Sequence, residues 1–165
     1  AKDNILYCTD PFTVDYADER YQIVAQYDSR INSVGRTDDG LFIGTHTELF
    51  YLQGNDAVEG GFNQRTLAFY GCVWKTDRQI KEEIIKEGRA GSEGVLFASH
   101  QGICYVGSGG VFKNFTKEYH TYSFGSEGAA VVRNSDGNIY YICNTGYGDV
   151  AFNQDFLPNL ELDEY

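Results

Sequence analysis

Apolar residues along the chain come in short blocks separated by equally short polar turns. Gly40 to Leu52 reads GLFIGTHTELFYL, and Gly94 to Val106 reads GVLFASHQGICYV. Each segment starts at a glycine, runs through an apolar strand, crosses a four-residue polar turn and returns as an apolar-aromatic strand. His46 and His100 occupy the same turn position. We therefore predict two β-hairpins of the same design.

A third hairpin is predicted from Gly128 to Cys143, which reads GAAVVRNSDGNIYYIC. Here the dipeptide Asp136-Gly137 supplies the positive φ angles that a tight hairpin turn demands. A weaker hairpin is predicted at the start of the chain, between Ile5–Cys8 and Thr13–Tyr16.

Hairpins that recur every few tens of residues are typical of propeller blades, and also of β-sandwiches. A complete propeller needs at least about four blades of four strands. Three clear hairpins and one weaker one fall short of that. We expect a single all-β domain over residues 1–165, built from repeated hairpins as a propeller-like or partial propeller fold. A β-sandwich is the alternative.

One segment departs from the strand pattern. Residues 76–88 read TDRQIKEEIIKEG, and Ile80, Ile84 and Ile85 recur at helical spacing before Gly88, a residue suited to a C-cap. The spacing favours one short amphipathic helix over the alternative, a charged edge strand.

The C-terminal segment spaces apolar residues with acids and is a candidate docking arm over residues 153–165. Its apolar pattern begins just before the arm and consists of Phe152, Phe156, Leu157, Leu160 and Leu162. Three alternatives stay open for the segment: it packs on its own domain, docks on a neighbour or extends into solvent as an acidic tail.

The charge balance narrows the range of partners. The chain carries 24 Asp and Glu against 13 Lys and Arg, a net charge of −11, so its surface repels phosphate and specific nucleic-acid binding is not expected. No apolar stretch approaches the roughly 20 residues of a membrane span, so no membrane contact is expected. The four cysteines, at positions 8, 72, 104 and 143, form no CxxC pair and are predicted to be free thiols.

Motifs that carry chemistry are missing from the sequence. The three histidines, His46, His100 and His120, form no HxH, HxxxH or HExxH pair, and no GxSxG, P-loop or GxGxxG pattern occurs. Gly107 to Gly110 lies between two predicted strands, and Asp38-Asp39 sits at a predicted turn. We therefore predict no catalytic, cofactor-binding or metal-binding residues, and no enzyme.

Parts of these hairpins resemble segments of tailed-bacteriophage virion structural proteins. The resemblance rests on runs spread over residues 30–143: Arg30 to Val34, Asp38 to Thr45, Gly94 to Cys104, Gly109-Gly110 with Asn114 to Thr116, and Gly128 to Arg133. It implies a virion subunit in the tail, neck or head–tail connection, assembled in the host cytoplasm. It also implies partners among its own copies and other virion proteins. An acidic protein of this kind could line a DNA conduit without trapping phosphates.

Assembly surfaces are enriched in exposed aromatic residues. Candidates for such a surface are Tyr140, Tyr141, Tyr147, Phe152 and Phe156. Two other functions stay open. One is a carbohydrate-binding module centred on Trp74 and Tyr70. The other, less favoured, is a glycoside hydrolase using a carboxylate pair.

Overall fold

The protein is all-β in the computed structural model, which describes residues 3–7, 25–54, 63–81, 93–117, 125–135 and 138–146. The strands are β1 (Ile5–Leu6), β2 (Ala25–Gln26), β3 (Ile31–Thr37), β4 (Gly40–Thr45), β5 (Leu49–Gln53), β6 (Asn63–Ala68), β7 (Arg78–Lys81), β8 (Glu93–Ser99), β9 (Gly102–Gly107), β10 (Val111–Asn114), β11 (Gly128–Ser135) and β12 (Asn138–Thr145).

These strands form four antiparallel sheets that follow one another along the chain. We call them sheet N (β1 and β2), sheet I (β3 to β6), sheet II (β7 to β10) and sheet III (β11 and β12). Sheets I and II are four-stranded meanders in which each strand pairs with its neighbour in sequence. Within sheets I and II, every strand therefore pairs only with strands that directly precede or follow it in the chain.

The three clear hairpin predictions are confirmed as β4–β5, β8–β9 and β11–β12. Two of the predicted turns are confirmed as well. Asp38-Asp39 joins β3 to β4, and Ser108–Gly110 forms a 3-10 turn between β9 and β10. The weaker hairpin is not found as predicted, because β1 pairs with β2 at Ala25–Gln26. Its proposed second strand, Thr13–Tyr16, lies outside the described residues, as does Asp136-Gly137.

The predicted helix over residues 76–88 is wrong where the structure describes it. Arg78–Lys81 is strand β7, an edge strand of sheet II, with Ile80 buried and the polar Gln79 and Lys81 exposed. In the ladder, Ile80 lies opposite Gly94 of β8. The pairing with β8 outweighs the local preference for a helix that the spacing of the isoleucines indicates. Residues 82–88 of the predicted helix lie outside the described residues.

Sheets I and II pack face to face. Alternate residues of β4 and β5 meet alternate residues of β8 and β9, and the Phe42 and Phe97 rings stack at a centroid distance of 4.5 Å. Both rings are fully buried. The cluster between the two sheets contains Phe42, Leu49, Tyr51, Cys72, Val95, Phe97, Cys104 and Val106. This cluster is the largest apolar core among the described residues.

The intervening residues of the same strands bury the opposite faces of sheets I and II. Ile43, Phe50 and Leu52 of sheet I pack with Leu6 and Tyr27 beside sheet N. On sheet II, a separate cluster of Ile80, Leu96 and Tyr105 meets Val132 and Tyr141 of sheet III. Both sheets are therefore covered on both faces, and the four sheets lie in a row in chain order.

The connection from β6 to β7 ties three of these sheets together. We call residues 71–76 the strap. The Cys72 amide donates to Thr45 of sheet I, and the Val73 amide donates to Ala98 of sheet II. The Trp74 amide donates to Ser126, just before sheet III. Backbone hydrogen bonds thus fix the strap against the ends of all three sheets.

At a second point, Asp39 joins the β3–β4 turn to the β9–β10 turn. Its carboxylate accepts hydrogen bonds from the Tyr51 hydroxyl, the Gln53 amide and the Gly109 backbone N–H, the last at 2.8 Å. Burial alone would raise the pKa of Asp39, but these hydrogen bonds outweigh it and lower that pKa below its ordinary value. The charged form therefore stabilises the contact between sheets I and II.

We expect Asp39→Asn to reduce the free energy of unfolding by about 1 kcal/mol at pH 7, a small value because the site is partly solvated. The carboxylate's contribution is fully present above the pKa of the unfolded carboxyl and is lost as pH falls through the lowered folded-state pKa. The difference between variant and wild type should therefore shrink below about pH 4. Urea unfolding across pH measures this, with exposed Asp28→Asn as the control. A difference that stays constant down to pH 2 would contradict it.

Candidate functional site

Three of the eight large hydrophobic side chains that are exposed among the described residues lie on one face of sheet III. Val131, Ile142 and Tyr140 are 53 %, 58 % and 50 % exposed. Val131 lies directly opposite Ile142 in the ladder, and Tyr140 lies opposite Arg133. Val131, Ile142 and Tyr140 are therefore neighbours on one face of the hairpin, which we call the outer face, with Arg133 at its border. Contiguous exposed apolar surface of this kind marks interaction sites.

Single exposed hydrophobic residues elsewhere do not form such a patch. Val111 on β10 is 54 % exposed, but its cross-strand partner is Gly107. Phe69 is 83 % exposed and follows the end of β6. Isolated exposures like these are normal for soluble proteins and need no functional explanation.

The predicted assembly residues fall in different places. Tyr140 lies on the outer face. Tyr141 points to the inner face, where its ring packs against sheet II and its hydroxyl donates to the Thr76 carbonyl oxygen at 2.5 Å. Burial raises the pKa of Tyr141. Tyr147, Phe152 and Phe156, with the proposed arm 153–165, lie outside the described residues.

Val131 and Ile142 were missed by the sequence analysis, although a signal for them was present. Side chains alternate between the two faces of a strand, and the pairing of Ser135 with Asn138 fixes the register of the hairpin. That register places Val131, Ile142 and Tyr140 together on the face opposite Val132 and Tyr141. Searching for aromatic residues alone passed over the two aliphatic ones.

A second feature is a shallow pocket of about 250 Å³ beside the strap. It is lined by Arg30, Asn32, His46, Trp74, Ser126 and Glu127. The Arg30 guanidinium carbon lies 4.7 Å from the Trp74 ring centroid, and the Lys75 ammonium lies 4.0 Å from it. Trp74, the only tryptophan of the chain, therefore contacts two cationic side chains, of which Arg30 also lines the pocket.

Tyr70 and Trp74, the pair proposed for carbohydrate binding, have different surroundings. The Tyr70 hydroxyl meets the Cys104 sulfur and the Asn114 side chain of sheet II, and its ring lies 6.4 Å from that of Phe112. Trp74 instead faces Arg30 and Lys75. The two rings thus contribute to separate environments.

His46 and His100, the equivalent turn histidines, meet edge to face at a centroid distance of 5.5 Å. Burial, and to a lesser extent the charge of His46, lowers the pKa of His100. The described residues contain no group of three His, Cys, Asp or Glu side chains that could hold a metal ion. His120 lies outside the described residues. His46 and His100 contact each other where the β4–β5 turn of sheet I meets the β8–β9 turn of sheet II.

Three cysteines are free thiols in the described part of the chain. Cys72 and Cys104 are buried in the core between sheets I and II, and burial raises the pKa of both thiols, that of Cys104 to about 11. Cys143 is half-buried on sheet III. Thiols protonated at neutral pH are poor nucleophiles, so Cys72 and Cys104 act as small apolar side chains.

The comparisons with known proteins show no relative: no family model, no curated protein and no solved structure matches the chain. Among the described residues, no helix is long and apolar enough to cross a membrane.

Proposed function

We propose that this chain is a structural subunit that assembles by covering its outer face with a second copy of itself. The observation that carries the proposal is the contrast between the sheets. Sheets I and II bury both faces, whereas sheet III buries one face and leaves Val131, Ile142 and Tyr140 exposed. A neighbouring subunit on the outer face would continue the same packing.

The row of sheets supports a propeller-like arrangement for the proposed subunit. Successive four-stranded meanders that stack face to face in chain order are the building plan of propeller blades. A two-layer sandwich leaves the outer faces of its sheets to solvent. Here the residues that face away from the main core, Ile43 and Leu96 among them, are buried as well.

The four sheets form a row that ends in the exposed outer face of sheet III. Such an arrangement is suited to head-to-tail association of successive copies. Contacts of that type join different surfaces of successive copies, and they close into a ring when the rotation from copy to copy completes a full turn. The resemblance to tailed-phage virion proteins gives the proposed setting, a ring in the tail, neck or head–tail connection. The net charge of −11 suits a wall that DNA passes without sticking. This role requires no catalytic residues.

Val131→Lys is expected to abolish self-association, because burying an unpaired ammonium group in an apolar contact costs several kcal/mol. Val111→Lys is the matched control, since Val111 is equally exposed but lies on sheet II. Sedimentation velocity at one concentration compares the three proteins. We expect oligomers for wild type and Val111→Lys, and monomers for Val131→Lys. Oligomers of equal size in all three would exclude the outer face as the contact.

A further inference from the structure

Sheet III repeats the first half of sheet I. In sheet I, His46 follows β4 and donates its amide to the carbonyl oxygen of Arg30, which directly precedes β3. In sheet III, Gly146 follows β12 and donates in the same way to Glu127, which directly precedes β11. β11 and β12 therefore correspond to β3 and β4, the first two strands of sheet I.

The same correspondence applies to the apolar residue at the centre of the outer face. Phe42, Leu96 and Ile142 each lie three residues before the end of the second strand of their sheet. Phe42 is buried against sheet II, and Leu96 is buried against sheet III, whereas Ile142 is 58 % exposed. Ile142 thus occupies the position that faces the following sheet in sheets I and II, but no following sheet covers it among the described residues.

Successive sheets of the row contact one another through their first two strands. β11 lies against β7 and β12 lies against β8, so that first strand meets first strand and second meets second. β3 of sheet I contacts the same two strands, and Gly35 of β3 lies against the Val95 side chain of β8. A sheet that followed sheet III in the same manner would place its first two strands on the outer face.

Sheet I, towards the other end of the row, offers two such strands. Its face that points away from sheet II is covered beside sheet N at Ile43, Phe50 and Leu52, on the second and third strands. This cover stops at the first strand, because Val34 lies directly opposite Ile43 and is nevertheless 40 % exposed. Leu41, on the second strand, is only half-buried. Val34 and Leu41 therefore leave an apolar surface open at the border of a buried cluster.

We infer that the outer face of one copy docks on Val34 and Leu41 of the next copy, which we call the receiving surface. The inference rests on the proposed self-association and adds the second half of the contact. Sheet III has two strands in the described part of the chain, and so has sheet N. Side by side, the two cover sheet I of the next copy with four strands, as many as sheets I and II each contain. The contact joins two different surfaces and is therefore head-to-tail.

Two variants that each block one surface test the direction of this contact. Val34→Lys places a charge on the receiving surface, and Val131→Lys places one on the outer face. Sedimentation velocity is run on each variant alone and on their equimolar mixture. Each variant alone should be monomeric, because every head-to-tail contact needs both surfaces.

The mixture should form a complex of two chains, twice the 18.5 kDa of one chain, and grow no further. In that complex the intact outer face of Val34→Lys binds the intact receiving surface of Val131→Lys. The two surfaces left over are the blocked ones. Val34→Asp, a second variant of the receiving surface, should behave as Val34→Lys does. Val111→Lys is the control and should associate like wild type, since Val111 belongs to neither surface.

The inference is overturned if Val34→Lys and Val34→Asp associate like wild type while Val131→Lys is monomeric. That result would mean that outer faces pair with each other, and it would leave the proposed self-association standing. A mixture that stays monomeric also overturns the inference, provided that both variants keep the circular dichroism spectrum of wild type. Wild-type-sized oligomers of Val131→Lys would instead refute the outer face as a contact, and with it both proposals.

Discussion

Replacing Gly71 with alanine should destabilise the protein by about 3 kcal/mol or more, the upper range for overpacking a filled site. A Cβ at this position would lie 1.8 Å from the His46 carbonyl oxygen and 2.3 Å from its carbon. These are backbone atoms, and they cannot withdraw. The His46 amide donates to Arg30, and the Gly71 carbonyl accepts from the His100 amide. Relief of the clash therefore requires the strap to leave the sheets.

Gly109→Ala is the comparison that separates this steric effect from backbone strain. Gly109 has a φ of +70°, but a Cβ there would meet no atom within 4 Å. Gly109→Ala should therefore lower the free energy of unfolding by only about 1–2 kcal/mol, the cost of a side chain in the left-handed region. Urea unfolding monitored by circular dichroism measures both variants. Equal stability losses would show that the strap is not the fixed connection between sheets that its hydrogen bonds indicate.

The second large effect is expected at the centre of the core between sheets I and II. Phe97→Ala should lower the free energy of unfolding by about 3–5 kcal/mol, because it removes a fully buried ring and leaves a cavity against Phe42. The strap and Asp39 join sheets I and II by hydrogen bonds, so collapse of the two sheets into the cavity is limited.

Phe69→Ala provides a control of the same chemistry, since Phe69 is 83 % exposed. Its stability should stay within about 0.5 kcal/mol of wild type. Thermal and urea unfolding of the two variants give the comparison. If Phe97→Ala proved as mild as Phe69→Ala, the face-to-face packing of sheets I and II would be refuted.

The hairpins could be predicted from the sequence because they depend on local patterns. In Gly40 to Leu52 the apolar blocks, the polar turn and the initial glycine lie within one short segment, and the register follows from the turn. β7 could not be predicted in this way. Its four residues become a strand only because β8, after an intervening segment, pairs with them. The helical spacing of Ile80 and Ile84 was real but local, and long-range pairing outweighed it.

The order of the sheets was also beyond the sequence pattern. Ile43 and Phe42 are both apolar, and only the structure shows that they face different clusters. Continuous apolar runs in β4 and β8 are typical of strands buried on both faces. That signal indicates burial without identifying the neighbours.

In the candidate sites, too, the residue types could be read from the sequence, whereas their neighbours depend on the tertiary structure. Tyr140 was identified by its type, but its place on the outer face depends on alternation within the hairpin. Trp74 was singled out with Tyr70 as its neighbour, whereas the strap brings it to Arg30 and Lys75 instead. Arg30 directly precedes β3 and belongs to no motif, so its contact with Trp74 could not be predicted from the sequence.

The most direct test of self-assembly is the solution mass of the wild-type chain over a concentration series, by light scattering coupled to gel filtration. The proposal predicts a mass that rises above the 18.5 kDa of one chain and reaches a fixed multiple of it, as a closed ring requires. A mass of 18.5 kDa at every concentration would contradict it and would leave the outer face without a partner in its own copies.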